Sequence, residues 1–121
     1  MTQAKTFGYE LIFDLHECQD KESLRSKKRL QTFVDKLCKL LKMKKYGKTL
    51  IPHFGHDNEI TSGYSLLQFI ETSSITGHFS EGMDAVYLNI FSCKPYNVEA
   101  AKKYVVDFFK PKKVKVRYLI R

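Results

Sequence analysis

From Phe7 to His16 the side chains alternate in character. Phe7, Tyr9, Leu11, Phe13 and Leu15 fall on one side, and Gly8, Glu10, Ile12, Asp14 and His16 on the other. A period of two is that of a β-strand, and a strand with one greasy face must bury it against a second layer. The period then switches. Leu24, Leu30, Phe33, Val34, Leu37, Leu40 and Leu41 recur at helical spacing, which predicts one long amphipathic helix from about Lys21 to Lys44, ended near Gly47.

Downstream, 49–54 reads as a short strand broken by Pro52, and 55–63 as a polar loop. Residues 64–71, 74–79 and 84–91 read as three strands, with Gly82 turning between the last two. Asn97 is placed to cap a helix through Phe109 with Ala100, Ala101, Tyr104, Val105 and Phe108 in its buried stripe, and Pro111 stops it. Val114, Val116, Tyr118 and Ile120 then alternate with Lys115, Arg117 and Leu119 in a last strand. The order β-α-β-β-β-β-α-β predicts an α+β two-layer sandwich, one domain over residues 1–121, with a mainly antiparallel sheet and two helices on one face.

A chain of 121 residues buries about two-thirds of its unfolded surface, enough for one core. Nine Phe and seven Tyr argue against disorder. No apolar run is long enough for a membrane helix. An odd count of three widely spaced cysteines fits a reducing compartment, hence a cytoplasmic protein. The formal charge is +8, concentrated in 27–45 and 102–115. Lys far outnumbers Arg there, and Arg is the residue that forks onto phosphate and guanine. Solvated helix faces explain the clusters better than nucleic-acid binding does.

The reactive inventory is small. His16-x-Cys18 and His53-x-x-His56 could be read as four zinc ligands, but the Cys-x2-4-Cys pairs of structural zinc sites are missing. Cys38 lies in the apolar stripe of the first helix and reads as a core side chain. More promising is Thr72-Ser73-Ser74-Ile75-Thr76-Gly77-His78, with Cys93 fifteen residues after the histidine. A hydroxyl, an imidazole and a thiol can move protons or attack carbonyls, yet a Ser and a His five apart also describe a polar turn.

Several spacings taken together are more specific. Gly8, Asp14 and Cys18 open the chain; Gly63-Tyr64-Ser65 precedes Ser73 by eight residues; His78 and Cys93 follow at five and fifteen; Phe108-Phe109-Lys110-Pro111-Lys112-Lys113 closes it. In these features, nearly end to end, the chain resembles the short prokaryotic S-adenosylmethionine decarboxylases. The resemblance implies a homodimer whose sites are lined by both subunits, acting on a small-molecule amine substrate in polyamine synthesis.

It also implies a cofactor made from the chain itself, with neither metal nor pyridoxal phosphate. Ser73 would attack the carbonyl of Thr72 and turn the amide into an ester, assisted by Ser65 and His78. Elimination and hydrolysis would then leave a pyruvoyl group in place of Ser73, heading the second fragment. Its carbonyl would form a Schiff base with the substrate amine and take up the electron pair left by carbon dioxide. Cys93 would be the acid that returns a proton to carbon.

Departures from the family pattern cluster at the nucleoside pocket. Thr72 and Ser74 stand where Glu and His usually flank the serine. Phe79-Ser80-Glu81-Gly82 replaces Thr-Trp-Pro-Glu, so an adenine-stacking aromatic is lost at Ser80. Glu10 stands for a His and Asn89 for an Asp. Glu81 and Glu10 are the candidate substrate-binding carboxylates. Three readings follow: an S-adenosylmethionine decarboxylase with an altered adenine clamp, a pyruvoyl-dependent ornithine or arginine decarboxylase of the same fold, and an unprocessed, inactive homologue serving as a binding subunit.

Overall fold

The structure is a computed structural model that describes residues 5–55 and 57–121. Six strands form one sheet in the order β2-β3-β4-β5-β1-β6, every neighbouring pair antiparallel. They are β1 (Tyr9–Cys18), β2 (His53–Phe54), β3 (Gly63–Ile70), β4 (Ser73–Ser80), β5 (Ala85–Ser92) and β6 (Pro111–Ile120). The helices are α1 (Lys21–Arg25), α2 (Lys27–Leu40) and α3 (Val98–Phe109). The predicted α+β sandwich is present, with three helices in place of two.

The expected single helix over 21–44 is broken at Ser26, whose extended backbone (φ −116°, ψ 116°) ends α1 and whose hydroxyl accepts from the Arg29 amide to cap α2. Phase explains the break. Leu24 and Leu30 are six residues apart, which on one continuous helix places them about 120° apart. Resetting the helix at Ser26 lets both be fully buried. At its other end α2 stops before Gly47, because Lys42 takes the left-handed conformation (φ 57°) and the Met43 amide bonds the Cys38 carbonyl.

Two strand limits also differ. Only His53–Phe54 pairs as a strand in 49–54; Leu50 meets Leu67 as an isolated bridge, because Pro52 has no amide to give the ladder. The last strand starts at Pro111, three residues early, since left-handed Lys110 turns the chain straight from α3 into the sheet.

The core lies between the helices and one sheet face. Leu11, Phe13 and Leu15 of β1, Val86, Leu88 and Ile90 of β5, and Ile75 and Phe79 of β4 meet Leu30, Phe33, Val34 and Leu37 of α2 and Val105 and Phe109 of α3. Phe33 is its hub: the ring lies 4.9 Å from both Phe108 and Phe109 and stacks on Tyr104 at 5.4 Å. Among the described residues, no layer covers the opposite sheet face. Leu50, Phe69 and Leu119 are about half exposed there. Cross-strand ion pairs Arg117–Asp14 and Arg121–Glu10 occupy its β1–β6 side, and Lys113 pairs with Glu17 close by. Three basic side chains of the C-terminal segment are thus matched by carboxylates of the first strand.

Two acidic anchors tie α1 and α2 to the loops. Hydrogen bonds from Arg29 hold the Asp20 carboxyl below its ordinary value of 3.8, and those from Arg25 do the same for Asp84. Unfolding restores the ordinary values, so this stabilisation is complete above about pH 4 and fades as pH falls through the lowered ones. Thermal melts should therefore drop more steeply from pH 4 to pH 2 in the natural chain than in an Asp20→Asn/Asp84→Asn double variant. Equal slopes would contradict the assignment.

Candidate active site

β3 and β4 form a hairpin in which Ile70 faces Ser73, leaving Glu71 and Thr72 as the turn. Thr72 has φ 63°. A β-branched residue there crowds its own backbone, and a non-glycine residue held left-handed costs about 1–3 kcal/mol. The strain sits in the residue whose carbonyl precedes Ser73. That carbonyl accepts a 2.9 Å hydrogen bond from the amide of Cys93, at the end of β5. An N–H aimed at this oxygen polarises the carbonyl and stabilises the charge that attack on it would create.

The Ser73 hydroxyl donates to the hydroxyl oxygen of Ser92 at 2.6 Å. Ser92 is 2% exposed, and its oxygen also takes the Lys94 amide at 3.0 Å. Both hydroxyls border a cavity of about 490 Å³ on the helix side, with Lys42, Lys94 and Asn97 at its rim. Ser92 is the residue that sequence reasoning missed. Its only signal was its position directly before Cys93 at a strand end.

Ser65 and His78 lie elsewhere. They face each other across β3 and β4, and Ser65 Oγ and His78 Nδ1 share a hydrogen bond of 3.0 Å. Five residues separate His78 from Ser73, about 16 Å along a strand and an odd number of steps. Ser73 therefore shares the helix-covered face with Ile75 and Phe79, whereas His78 looks out from the open face. Beside it is a second cavity of about 340 Å³, lined by Tyr64, Ser65, His78, Met83 and Tyr87 among others. Within one chain, Ser65 and His78 are thus brought together and lie apart from Ser73, whose hydroxyl meets Ser92; Cys93 comes to this turn through its backbone amide on the Thr72 carbonyl.

The candidate carboxylates are both engaged. Glu10 accepts from Asn89 at 2.8 Å and pairs with Arg121 at 3.1 Å, so the two departures at positions 10 and 89 are one contact. Glu81 is at the far end of β4 from Ser73, paired with His53 at 3.1 Å, and its carbonyl takes Arg25. Ser80 is buried with its hydroxyl donating to the Ile60 carbonyl at 2.6 Å. A large aromatic at 80 has no place while the 55–63 loop is bonded down there. Among the four residues read as zinc ligands, His16 packs on Tyr87, Cys18 is buried, and His56 lies outside the described residues. Among the described residues no three His, Cys, Asp or Glu side chains gather where a metal ion could sit.

A family model described as S-adenosylmethionine decarboxylase matches residues 9–121. The chain belongs to that family. Among solved structures it is similar to the adenosylmethionine decarboxylase of Aquifex aeolicus VF5, with a TM-score of 0.81 over 98% of this chain and 92% of that one. Identity is 17%, so this likeness concerns the fold. No curated protein sequence matches. Among the described residues no helix is long and apolar enough to cross a membrane.

The three thiols differ sharply in environment. Burial, helped by the Asp84 charge, pushes Cys18 up to about 11, and burial pushes Cys38 up to about 11 as well. Cys93 is only half-buried. Since the thiolate is the reactive form, brief iodoacetamide treatment near neutral pH should leave one adduct on the folded protein, at Cys93, and three after denaturation. Peptide mass mapping that finds Cys18 or Cys38 modified as fast as Cys93 would contradict this burial.

Proposed function

We propose that the protein is a pyruvoyl-dependent S-adenosylmethionine decarboxylase that cleaves itself between Thr72 and Ser73. One observation carries the reading: the carbonyl before Ser73 belongs to a strained, left-handed Thr72 and is polarised by the Cys93 amide. Moving an acyl group from nitrogen to oxygen is uphill for an ordinary amide. Relief of backbone strain and an oxyanion donor are the two contributions that offset the cost.

The cleavage chemistry follows from the chain's own atoms. Ser73 Oγ bonds the Thr72 carbonyl carbon, the C–N bond breaks, and the hydroxyl proton ends on the freed nitrogen. Loss of the Ser73 α-proton then expels the Thr72 carboxylate, and water replaces the nitrogen, released as ammonia. The helix-side cavity beside Ser73 supports this by giving water a route to the residue. The pyruvoyl group so formed supplies an electrophilic carbonyl that holds the substrate amine and draws off electrons as carbon dioxide leaves. By family likeness Cys93, whose amide bonds the Thr72 carbonyl, is the proton donor to carbon.

By family likeness, Ser65 and His78 assist the same cleavage. Their distance from Ser73 within one subunit, and the exposed Leu50, Phe69 and Leu119 of the uncovered sheet face, support a face-to-face homodimer. The Ser65–His78 cavity opens on that uncovered face. That cavity suits a flat, mostly apolar group, since Tyr64, Tyr87 and Met83 line it. It supports a nucleoside substrate and offers aromatic faces in place of the one missing at Ser80. Glu10 and Glu81, the two carboxylates considered for the cationic tail of ornithine or arginine, are already paired with Arg121 and His53. A role in cytoplasmic polyamine synthesis follows from this activity.

Intact mass is the decisive measurement. Purified protein should give fragments of 72 and 49 residues, about 8 and 6 kDa, and Ser73→Ala a single 14.2 kDa chain. Cys93→Ala should still cleave while carbon dioxide release from S-adenosylmethionine falls about 100-fold or more, as for loss of a general acid. An uncleaved natural chain, or a fully active Cys93→Ala enzyme, would overturn the corresponding step.

A further inference from the structure

We propose that Ser92 is a positioning residue for self-cleavage, acting at the N-to-O acyl shift; the inference rests on the cleavage reading above. The register sets Ser92 opposite Ser73, one step along the ladder from the Cys93–Thr72 backbone bond. In an antiparallel pair the positions next to a backbone-bonded pair are those where facing side chains come closest. Two serines at such a position meet oxygen to oxygen, here at 2.6 Å.

The direction of that hydrogen bond matters. Ser92 Oγ accepts the Lys94 amide and the Ser73 hydroxyl together, so both of its acceptor sites are taken. Its burial shields it from water that would compete for them. Ser73 is thereby held in one rotamer, where a free serine samples three staggered wells. Its proton is committed to Ser92, and the lone pairs of its oxygen remain free to attack. The neighbouring residue completes the arrangement: the side chain of Ser92 holds the nucleophile, and the amide of Cys93 holds the carbonyl oxygen under attack. In the step itself the Oγ–carbonyl carbon bond forms, the Thr72–Ser73 C–N bond breaks, and the proton passes to that nitrogen. Ser92 is unchanged at the end.

The test follows cleavage of freshly synthesised chains by intact mass, for the natural protein and for Ser92→Ala, Ser92→Cys and Ser92→Thr. The Ala and Cys variants should cleave at least about tenfold more slowly, because orientation of the nucleophile is lost. The Thr variant, which keeps the hydroxyl, should stay within about threefold of the natural rate, the scale of one rotamer choice among three. Melting temperatures of all three should lie within about 8 °C of the Ser73→Ala precursor, which separates positioning from unfolding.

Hydroxylamine assigns the step, because it cuts an ester and leaves an amide intact. It should not accelerate Ser92→Ala, in which no ester builds up. An Ala variant cleaving at the natural rate, a Thr variant as slow as Ala, or an Ala variant rescued by hydroxylamine would each overturn the inference while leaving self-cleavage standing. A natural chain that never cleaves would instead overturn the reading beneath it, and the inference with it.

Discussion

The alternation of side chains along an antiparallel strand governs this molecule. β4 runs from Ser73 to Ser80, and each residue takes the face its neighbour does not. Ser73 and His78 are five apart, so a flat ladder cannot present both to one space. The pleat therefore separates the Ser73–Ser92 contact on the covered face from the Ser65–His78 pair on the uncovered one.

Local chemistry at the hairpin depends on the same register. β3, β4 and β5 are aligned so that the strained Thr72 meets Cys93 and Ser73 meets Ser92. A one-residue slip would turn every core residue of β4 outward and separate these contacts together. The hydrophobic cluster around Phe33 and Phe109 thus protects the reactive turn from a distance, because it penalises any other alignment. Strain of a few kcal/mol at one residue is tolerable when the surrounding ladder and core determine the conformation.

Positions that depart from the family pattern make structural sense as contacts. Glu10 and Asn89 bond each other, with Arg121 closing the group. Ser80 anchors the 55–63 loop where a larger side chain would have to displace it. Gly82 packs against Glu59, leaving no room for a Cβ. Ser80 and Gly82 lie at or just past one end of β4, whereas Thr72 and Ser74 flank Ser73 at the other.

Much of this architecture is legible in the order of residues. Alternation in β1, the helical stripe through Phe33 and Leu37, the Asn97 cap and the spacings around Ser73 all depend on neighbours in the chain, and short-range periodicity records them directly. The break at Ser26 is half legible, since Leu24 falls out of phase with Leu30. Other features were beyond reach. That Lys42, and not Gly47, would take the left-handed turn depended on where packing ended α2. That Ser92 would receive the Ser73 hydroxyl, and that Glu10 would find Asn89 and Arg121, depended on pairing between strands distant in sequence. Composition and spacing determine which groups a chain owns and which face of its own strand each takes. Which groups touch is decided by register across the sheet, because hydrogen-bonded alignment of remote strands is set by the whole core at once.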